Sequence, residues 1–429
     1  MRFYGPGVRA AFTAVAIAVL AAGCAGPQGS SPASFVSSPQ GIASVESAAS
    51  VQEQIDNGSL IDPCHNLTFG QARCMSLGLR NTAAAPQAKG ADASVRGFGP
   101  ADLQAAYNIV NTAKNNPGGT VAVIEAGGNP KLESDLKVYR KQFGLPPCTS
   151  VNKCLRILNQ RGSKGPLPPV ENSWLAEQSL DVDMVSANCP NCKIVVIQCS
   201  TNLYTGIQAA SRLTPAPVAI SNSWGGAEYP NQYRADLSIF NHPGVAITAS
   251  TGDHGYSAGL IFPSTSPNVT AIGGTSLFKA TNSRGYTESV WAGAGSGCSS
   301  YSKTPKWQKA TEQQLGGCSN KLAADVSYIG NPNTGVAVYE STPGDGLPPG
   351  WQVWGGTSTG APAIAAIYAL AGDASKFKIP AEKAWENTGD LNDITSGSNG
   401  TCSPDYLCTG EVGYDGPTGW GTPNGLGAF

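Results

Sequence analysis

The string Gly355-Gly356-Thr357-Ser358-Thr359-Gly360-Ala361-Pro362 leads directly into an apolar stretch, residues 361–371. A glycine-lined turn exposes a serine hydroxyl, and a helix start behind it favours the negative charge that grows as that oxygen reacts. Pro362 suits the first turn of such a helix. A second signal is Trp174-Leu175-Ala176-Glu177-Gln178-Ser179-Leu180-Asp181, where Glu177 and Asp181 stand four apart and project from one helix face. The third is Ala249-Ser250-Thr251-Gly252-Asp253-His254-Gly255, which puts a carboxyl in a glycine-flanked turn straight after an apolar run. Taken singly, each also has a purely structural reading: a helix-capping turn, a solvated helix face, and an Asx-turn. Asp183, two residues beyond Asp181, is expected on a solvated face.

Stepping from these residues to the elements that must hold them, short apolar runs recur at 121–124, 194–197, 218–220, 245–247 and 269–272, each closed by small or polar residues. These read as buried strands. Amphipathic segments at 132–143 and 176–187 read as helices, with Leu180, Met184 and Ala187 forming the stripe that packs inward. Strands alternating with helices imply a largely parallel sheet covered on both faces, that is, an α/β fold. Function in such folds collects at the carboxyl ends of strands. Glu125, Asn222 with Trp224, and Asp253 all lie at such ends. The second half is looser, with glycine-rich turns at 293–297 and proline-rich ones at 343–349 before the last helix. No internal repeat is visible, and one domain from Gly97 to the end is expected.

Composition narrows the function classes. The 429 residues are 41% apolar and 13% charged, enough for a large core. Basic and acidic residues nearly balance, 27 against 29, with no basic stripe, so nucleic acid is not an expected partner. Arg2 and Arg9 precede an apolar stretch, 10–22, too short for a mature membrane span but suited to a signal peptide over residues 1–23. That stretch ends in Ala21-Ala22-Gly23-Cys24, which resembles a bacterial lipobox; lipid on Cys24 would attach the protein to a membrane at the cell surface. Residues 24–60 read as a flexible stalk or lipoprotein tether, poor in large apolar residues. Residues 61–96 form a short N-terminal segment, readable as a remnant prosegment or as a permanent strap. Twelve cysteines in an exported chain imply disulfides. Proximity pairs Cys64 with Cys74, Cys148 with Cys154, Cys189 with Cys192, Cys298 with Cys318 and Cys402 with Cys408, leaving Cys199 as a buried free thiol. For Cys189 and Cys192, zinc is the alternative.

The three chemical strings resemble those of the sedolisins, or serine-carboxyl peptidases, and the resemblance runs from Gly97 to the C-terminus. Supporting stretches are Val121-Ala122-Val123-Ile124-Glu125, Ser221-Asn222-Ser223-Trp224-Gly225-Gly226, Phe262-Pro263-Ser264, Thr270-Ala271-Ile272-Gly273-Gly274-Thr275, and Asp393-Ile394-Thr395 with Gly413-Tyr414-Asp415. The resemblance implies a subtilisin-like three-layer fold with a mostly parallel central sheet, occupying residues 97–429. It implies peptide and protein substrates, with Ser358 as nucleophile, Glu177 as general base, Asp181 as the acid that orients Glu177, and Asp253 as the oxyanion-hole group. Glu125 and Trp224 are implied as outer members of a hydrogen-bond network behind Glu177.

This chemistry suits acid. A histidine base is almost wholly protonated at about pH 4, whereas a glutamate near 4.3 can still accept a proton there. A Ser-His-Asp enzyme needs a histidine in the core, and His65, His242 and His254 sit in no suitable turn. The resemblance also implies one structural calcium held by Asp393, Ile394, Gly413 and Asp415, with Glu411 or Gly410 supplying a further carbonyl; two carboxylates and carbonyls are the hard donors that calcium takes. A monomer is expected. The competing class is a sedolisin-like surface protein that binds peptides without cleaving them.

Overall fold

The computed structural model describes residues 48–65, 72–92, 94–200 and 202–429. The expected signal peptide, the first part of the tether and Cys24 lie outside them. Among the described residues, no helix is long and apolar enough to cross a membrane.

Alternating side chains of the apolar runs build a three-layer body. On the strand Thr120–Ala126, Val121 and Val123 enter one hydrophobic core while Ala122 and Ile124 enter another. Lys193–Cys199 does the same, with Ile194 and Val196 on one side and Val195 and Ile197 on the other. Burial on both faces is why these strands read as continuous apolar runs rather than alternating ones. The first core takes in Leu175–Asn188 and Gly360–Ala371, two helices packed on each other; the second takes in Leu203–Ser211.

The central sheet runs, in spatial order, Tyr286–Val290, Thr270–Lys279, Ala246–Ser250, Ala219–Asn222, Thr120–Ala126, Lys193–Cys199 and Leu155–Asn159, with Val326–Ile329 also pairing Thr270–Lys279. Every pairing is parallel except that of Tyr286–Val290. The expected layers and sheet are therefore present. Leu155–Asn159 at the sheet edge and Val326–Ile329 were not anticipated, because their half-polar sequences lack a run of apolar residues. A smaller sheet orders Leu60–Ile61, Leu77–Leu79, Gly350–Gly355 and Val336–Glu340.

Two local expectations change. Ala48–Asp56, inside the span read as a stalk, is helical, and Val51 and Leu60 are buried with Leu77, Leu79, Trp291 and Val353. Isolated apolar residues in a polar stretch found a hydrophobic surface supplied from far along the chain. Asp183 is buried rather than solvated and accepts a hydrogen bond from the Tyr339 amide, since its helix is enclosed on all sides. All five expected disulfides are formed, and Cys199 is free and buried.

Candidate active site

Ser358 sits in a single turn, Thr357–Thr359, between the strand Gly350–Gly355 and the helix Gly360–Ala371. Gly356 makes the reversal at φ +98, where a side chain would be strained and its Cβ would collide with the Met75 carbonyl and with Asp253 Oδ2. Ser358 is fully buried, and its Oγ donates to the Ser223 carbonyl at 3.1 Å.

Glu177 and Asp181 lie one turn apart on Leu175–Asn188, as the spacing predicts, and both are completely buried. Neither Glu177 oxygen has a hydrogen-bond partner within ordinary bonding distance. Burial first, then the charge of Asp181, hold the Glu177 carboxyl well above the usual range. The hydroxyls of Ser358 and Ser76 work in the opposite sense, favouring the ionised form, while Asp253 adds to the rise. Asp181 Oδ1 accepts from Ser223 Oγ at 2.7 Å. Burial, followed by Glu125, raises the Asp181 pKa well above normal.

Glu125 is the penultimate residue of the strand Thr120–Ala126, on the same side as Val121 and Val123, so alternation aims it at the helix carrying Glu177. Burial, then the charge of Glu177, push it from the ordinary 4.5 up to about 8, while a hydrogen bond with Asp181 pulls back. Asp181 and Glu125 are both held above the ordinary carboxyl range and influence each other. Their titration belongs to the cluster rather than to either residue.

Asp253 approaches from the opposite side, at the end of Ala246–Ser250. Its Oδ1 accepts from the amide and the hydroxyl of Thr357, each at 2.8 Å, and Oδ2 is buried without a partner. Burial raises its pKa from 3.8 to about 7, opposed by the two Thr357 bonds and by His254.

The structure gathers Ser358, Glu177, Asp181, Glu125 and Asp253 from four segments into one buried cluster. Trp224 is not a link between its carboxyls. The indole N–H donates to the Ile124 carbonyl at 3.0 Å, one residue before Glu125, so Trp224 secures the strand end and not an acid. Ser223, Ser76 and Thr357 were missed as site residues. A serine between Asn222 and Trp224 carries no chemical signal until Asp181 and Ser358 are placed beside it.

No family model matches the chain. Kumamolisin from Bacillus sp. (strain MN-32) is 27% identical over 382 residues, 79% of this chain and 64% of that protein. Sedolisin from Pseudomonas sp. (strain 101) is 25% identical over 370 residues, 77% of this chain and 60% of that protein. This chain is similar to the sedolisins. It spans about three-fifths of the length of these curated relatives. A solved structure of Pseudomonas sedolisin, described as a serine-carboxyl proteinase complexed with two molecules of pseudo-iodotyrostatin, shares the fold at a TM-score of 0.59 and 22% identity, covering 77% of this chain and 96% of that one. The subtilisin-like arrangement of a mostly parallel sheet between helical layers is thus common to both.

The sedolisin-like calcium residues converge in part. Asp393 Oδ2 accepts from the Gly413 amide at 2.9 Å, and Asp415 Oδ2 from the Glu411 amide at 3.3 Å. Asp415 is fully buried, and Thr418 binds its Oδ1 through amide and hydroxyl. Ile394 is buried beside this loop. Among the described residues, no group of three or more His, Cys, Asp or Glu side chains could hold a metal, and no Lys or Arg forms an ion pair with Asp393 or Asp415. Asp393 and Asp415 come from two separate segments, and two carboxylates with no cationic side chain beside them are the donor chemistry that a hard cation takes when backbone carbonyls supply the rest.

Proposed function

We propose that this chain is a serine-carboxyl endopeptidase that hydrolyses peptide bonds in acid. The observation that carries the reading is the burial of one serine hydroxyl among four carboxyls, with no histidine, among the described residues, hydrogen-bonded to that serine. Ser358 Oγ attacks the substrate carbonyl carbon and passes its proton to Glu177. Asp181 and Glu125, both protonated in acid because burial raises their pKa values, limit the charge around Glu177. Once its neighbours are neutral, the like-charge contributions to Glu177 vanish, and the Ser358 and Ser76 hydroxyls favour its ionised form against the burial that still raises its pKa. Asp253, pushed up to about 7, is protonated in acid and can donate to the developing oxyanion beside the Ser358 amide. The same proton, transferred from Glu177 to the leaving amine, completes the acyl-enzyme step, and water then hydrolyses the ester.

A calcium ion held by Asp393, Asp415 and carbonyls of Ile394, Gly413 and Glu411 or Gly410 would brace the C-terminal loops; it would supply structural charge balance alone. Five disulfides support an oxidising, exported setting, with residues 1–23 as the signal and Cys24 as the lipid attachment.

The test is digestion of a denatured protein at about pH 4. Purified wild type should cut it, and Ser358→Ala should lower the rate by at least about 10⁴-fold with its fold retained. Wild type inert on all denatured substrates would instead favour a peptide-binding protein.

A further inference from the structure

Leu155–Asn159 and Lys193–Cys199 end side by side at the edge of the central sheet, and a cavity of about 300 Å³ opens at their carboxyl ends. Crevices at this place in a parallel sheet are where α/β folds collect ligands. The register pairs Asn159 with Gln198 and Gln198 with Glu125, so three polar side chains stand in a row across neighbouring strands. Period-two alternation puts Gln198 on the face of Ile194 and Val196, the face that Glu125 also uses. The row therefore runs from the cavity to the acid cluster.

Gln198 is completely buried, yet only half of its amide is used. Its Nε2 donates to Gln178 Oε1 at 2.9 Å. Gln178, next in sequence to Glu177, donates in turn to the carbonyls of Ala126 and Gly127 at 3.0 and 3.3 Å. Those two bonds turn Gln178 Oε1 toward Gln198, so Gln198 must present its nitrogen there. Gln198 Oε1 is left buried without a partner among the described residues. An unsatisfied buried acceptor is costly, and a donor brought into the cavity removes that cost. Other polar groups of the lining are already engaged: Asn159 Oδ1 accepts from the amides of Arg161 and Ser163, and Gln160 Oε1 from the amide and hydroxyl of Ser200.

One wall is the run Pro166-Leu167-Pro168-Pro169. The Gly128 amide donates to the Pro169 carbonyl at 2.7 Å, which ties this wall to the end of the strand that carries Glu125. Leu167 and the adjoining Val170 are 43% and 46% exposed and leave apolar surface beside the cavity. Arg161, also in the lining, is exposed and forms no ion pair among the described residues.

We propose that this cavity is a subsite for the peptide chain being cut, placed away from the scissile bond and selective for a residue with an acidic side chain. This rests on the reading of the chain as a peptidase, which makes an extended peptide the ligand. A backbone N–H of that peptide donates to Gln198 Oε1. The carboxylate pairs with Arg161, and the methylene stem lies against Leu167, Pro168 and Pro169. The volume is near the lower end for ligand pockets and suits one or two residues. No bond is made or broken here; the site holds the chain while Ser358 acts elsewhere along it.

The experiment uses purified full-length protein at about pH 5, where a glutamate side chain with its usual pKa near 4.3 is mostly ionised. Blocked peptides carry Glu, Gln or Lys at each position in turn, in a long set and in a set trimmed to the residues next to the cut. In the long set, one position remote from the cut should prefer Glu over Lys by about 3–10-fold in kcat/KM, carried by KM; the trimmed set should show no such preference. Arg161→Glu, an exposed substitution, should reverse the preference. Gln198→Met, checked for cooperative unfolding, should raise KM for long peptides by about 3–10-fold. Equilibrium binding of the same peptides, fluorescently labelled, to Ser358→Ala reports the subsite without the reaction. Cleavage with no position whose preference Arg161→Glu alters would overturn the inference and leave the proposed activity standing. Glu-selective binding to Ser358→Ala that Arg161→Glu reverses, with wild type unable to cut, would uphold the subsite and overturn the activity. Neither binding nor cutting would overturn both.

Discussion

Replacing Glu125 by Gln should change how stability depends on pH, and the size of the change follows from its surroundings. Glu125 is completely buried, and its pKa rises from 4.5 to about 8, mainly through burial and then through the charge of Glu177. A raised folded-state pKa means that the stabilising contribution is complete below the unfolded value and is lost as pH rises through the folded one. Each pKa unit corresponds to about 1.36 kcal/mol. Relative to strong acid, ionisation of this one group should remove about 2 kcal/mol by pH 6 and about 4 kcal/mol by pH 8, as an order of magnitude. Gln cannot ionise, so the variant should lose less over the same range, although the other buried acids retain their slopes. Denaturant unfolding of Ser358→Ala and of Ser358→Ala with Glu125→Gln, at pH 4, 6 and 8, measures this without self-digestion. The two curves should diverge by about 2–4 kcal/mol at pH 8 in favour of the Gln variant. Parallel curves, or stability that climbs from pH 4 to 8 in both proteins, would refute the picture of a protonated buried Glu125.

Other consequences can be measured separately. Asp253→Ala should reduce kcat by about 10²–10³-fold through loss of an oxyanion donor, while wild-type activity should decline as pH rises through about 7 and Asp253 loses its proton; near-wild-type kcat in the variant would remove Asp253 from the mechanism. Chelation, or Asp415→Asn, should lower Tm by about 3–4 °C, since saturating cation contributes about 2–3 kcal/mol to a domain of this size, with kcat at low temperature little changed. An unaltered Tm on thermal scanning would argue against a bound cation. Cys199, buried and pushed up to about 12, should resist alkylation in the native protein by at least about 10³-fold relative to the unfolded chain, as read by peptide mapping.

Much of the frame was legible along the chain because its causes are local. Runs such as Val121-Ala122-Val123-Ile124 need only period-two burial on both faces to become central strands. The spacing of Glu177 and Asp181 places them one helical turn apart whatever surrounds the helix. Nearby cysteines pair because short loops bring them together, and Gly356 permits the backbone reversal before Ser358. The locally ambiguous residues went the other way. Asp183 looked like surface, but its helix is enclosed, and a polar side chain cannot report how many neighbours cover it. Trp224 reads in the sequence as a partner of the acids, yet its indole N–H donates to the Ile124 carbonyl.

What only the tertiary structure decided are the meetings of distant segments. Ser223 gains its place between Asp181 and Ser358 because a strand end, a helix and a turn converge, and no residue spacing encodes that convergence. The same holds for Met75 and Ser76: their sequence is unremarkable, and it is the register of two strand pairings, set by backbone hydrogen bonds to Trp224–Ala227 and Gly350–Gly355, that lays one peptide bond against Ser358. Periodicity follows from the geometry of a single element and can be read from one segment; register is a relation between two segments, and it is settled only when both are folded together.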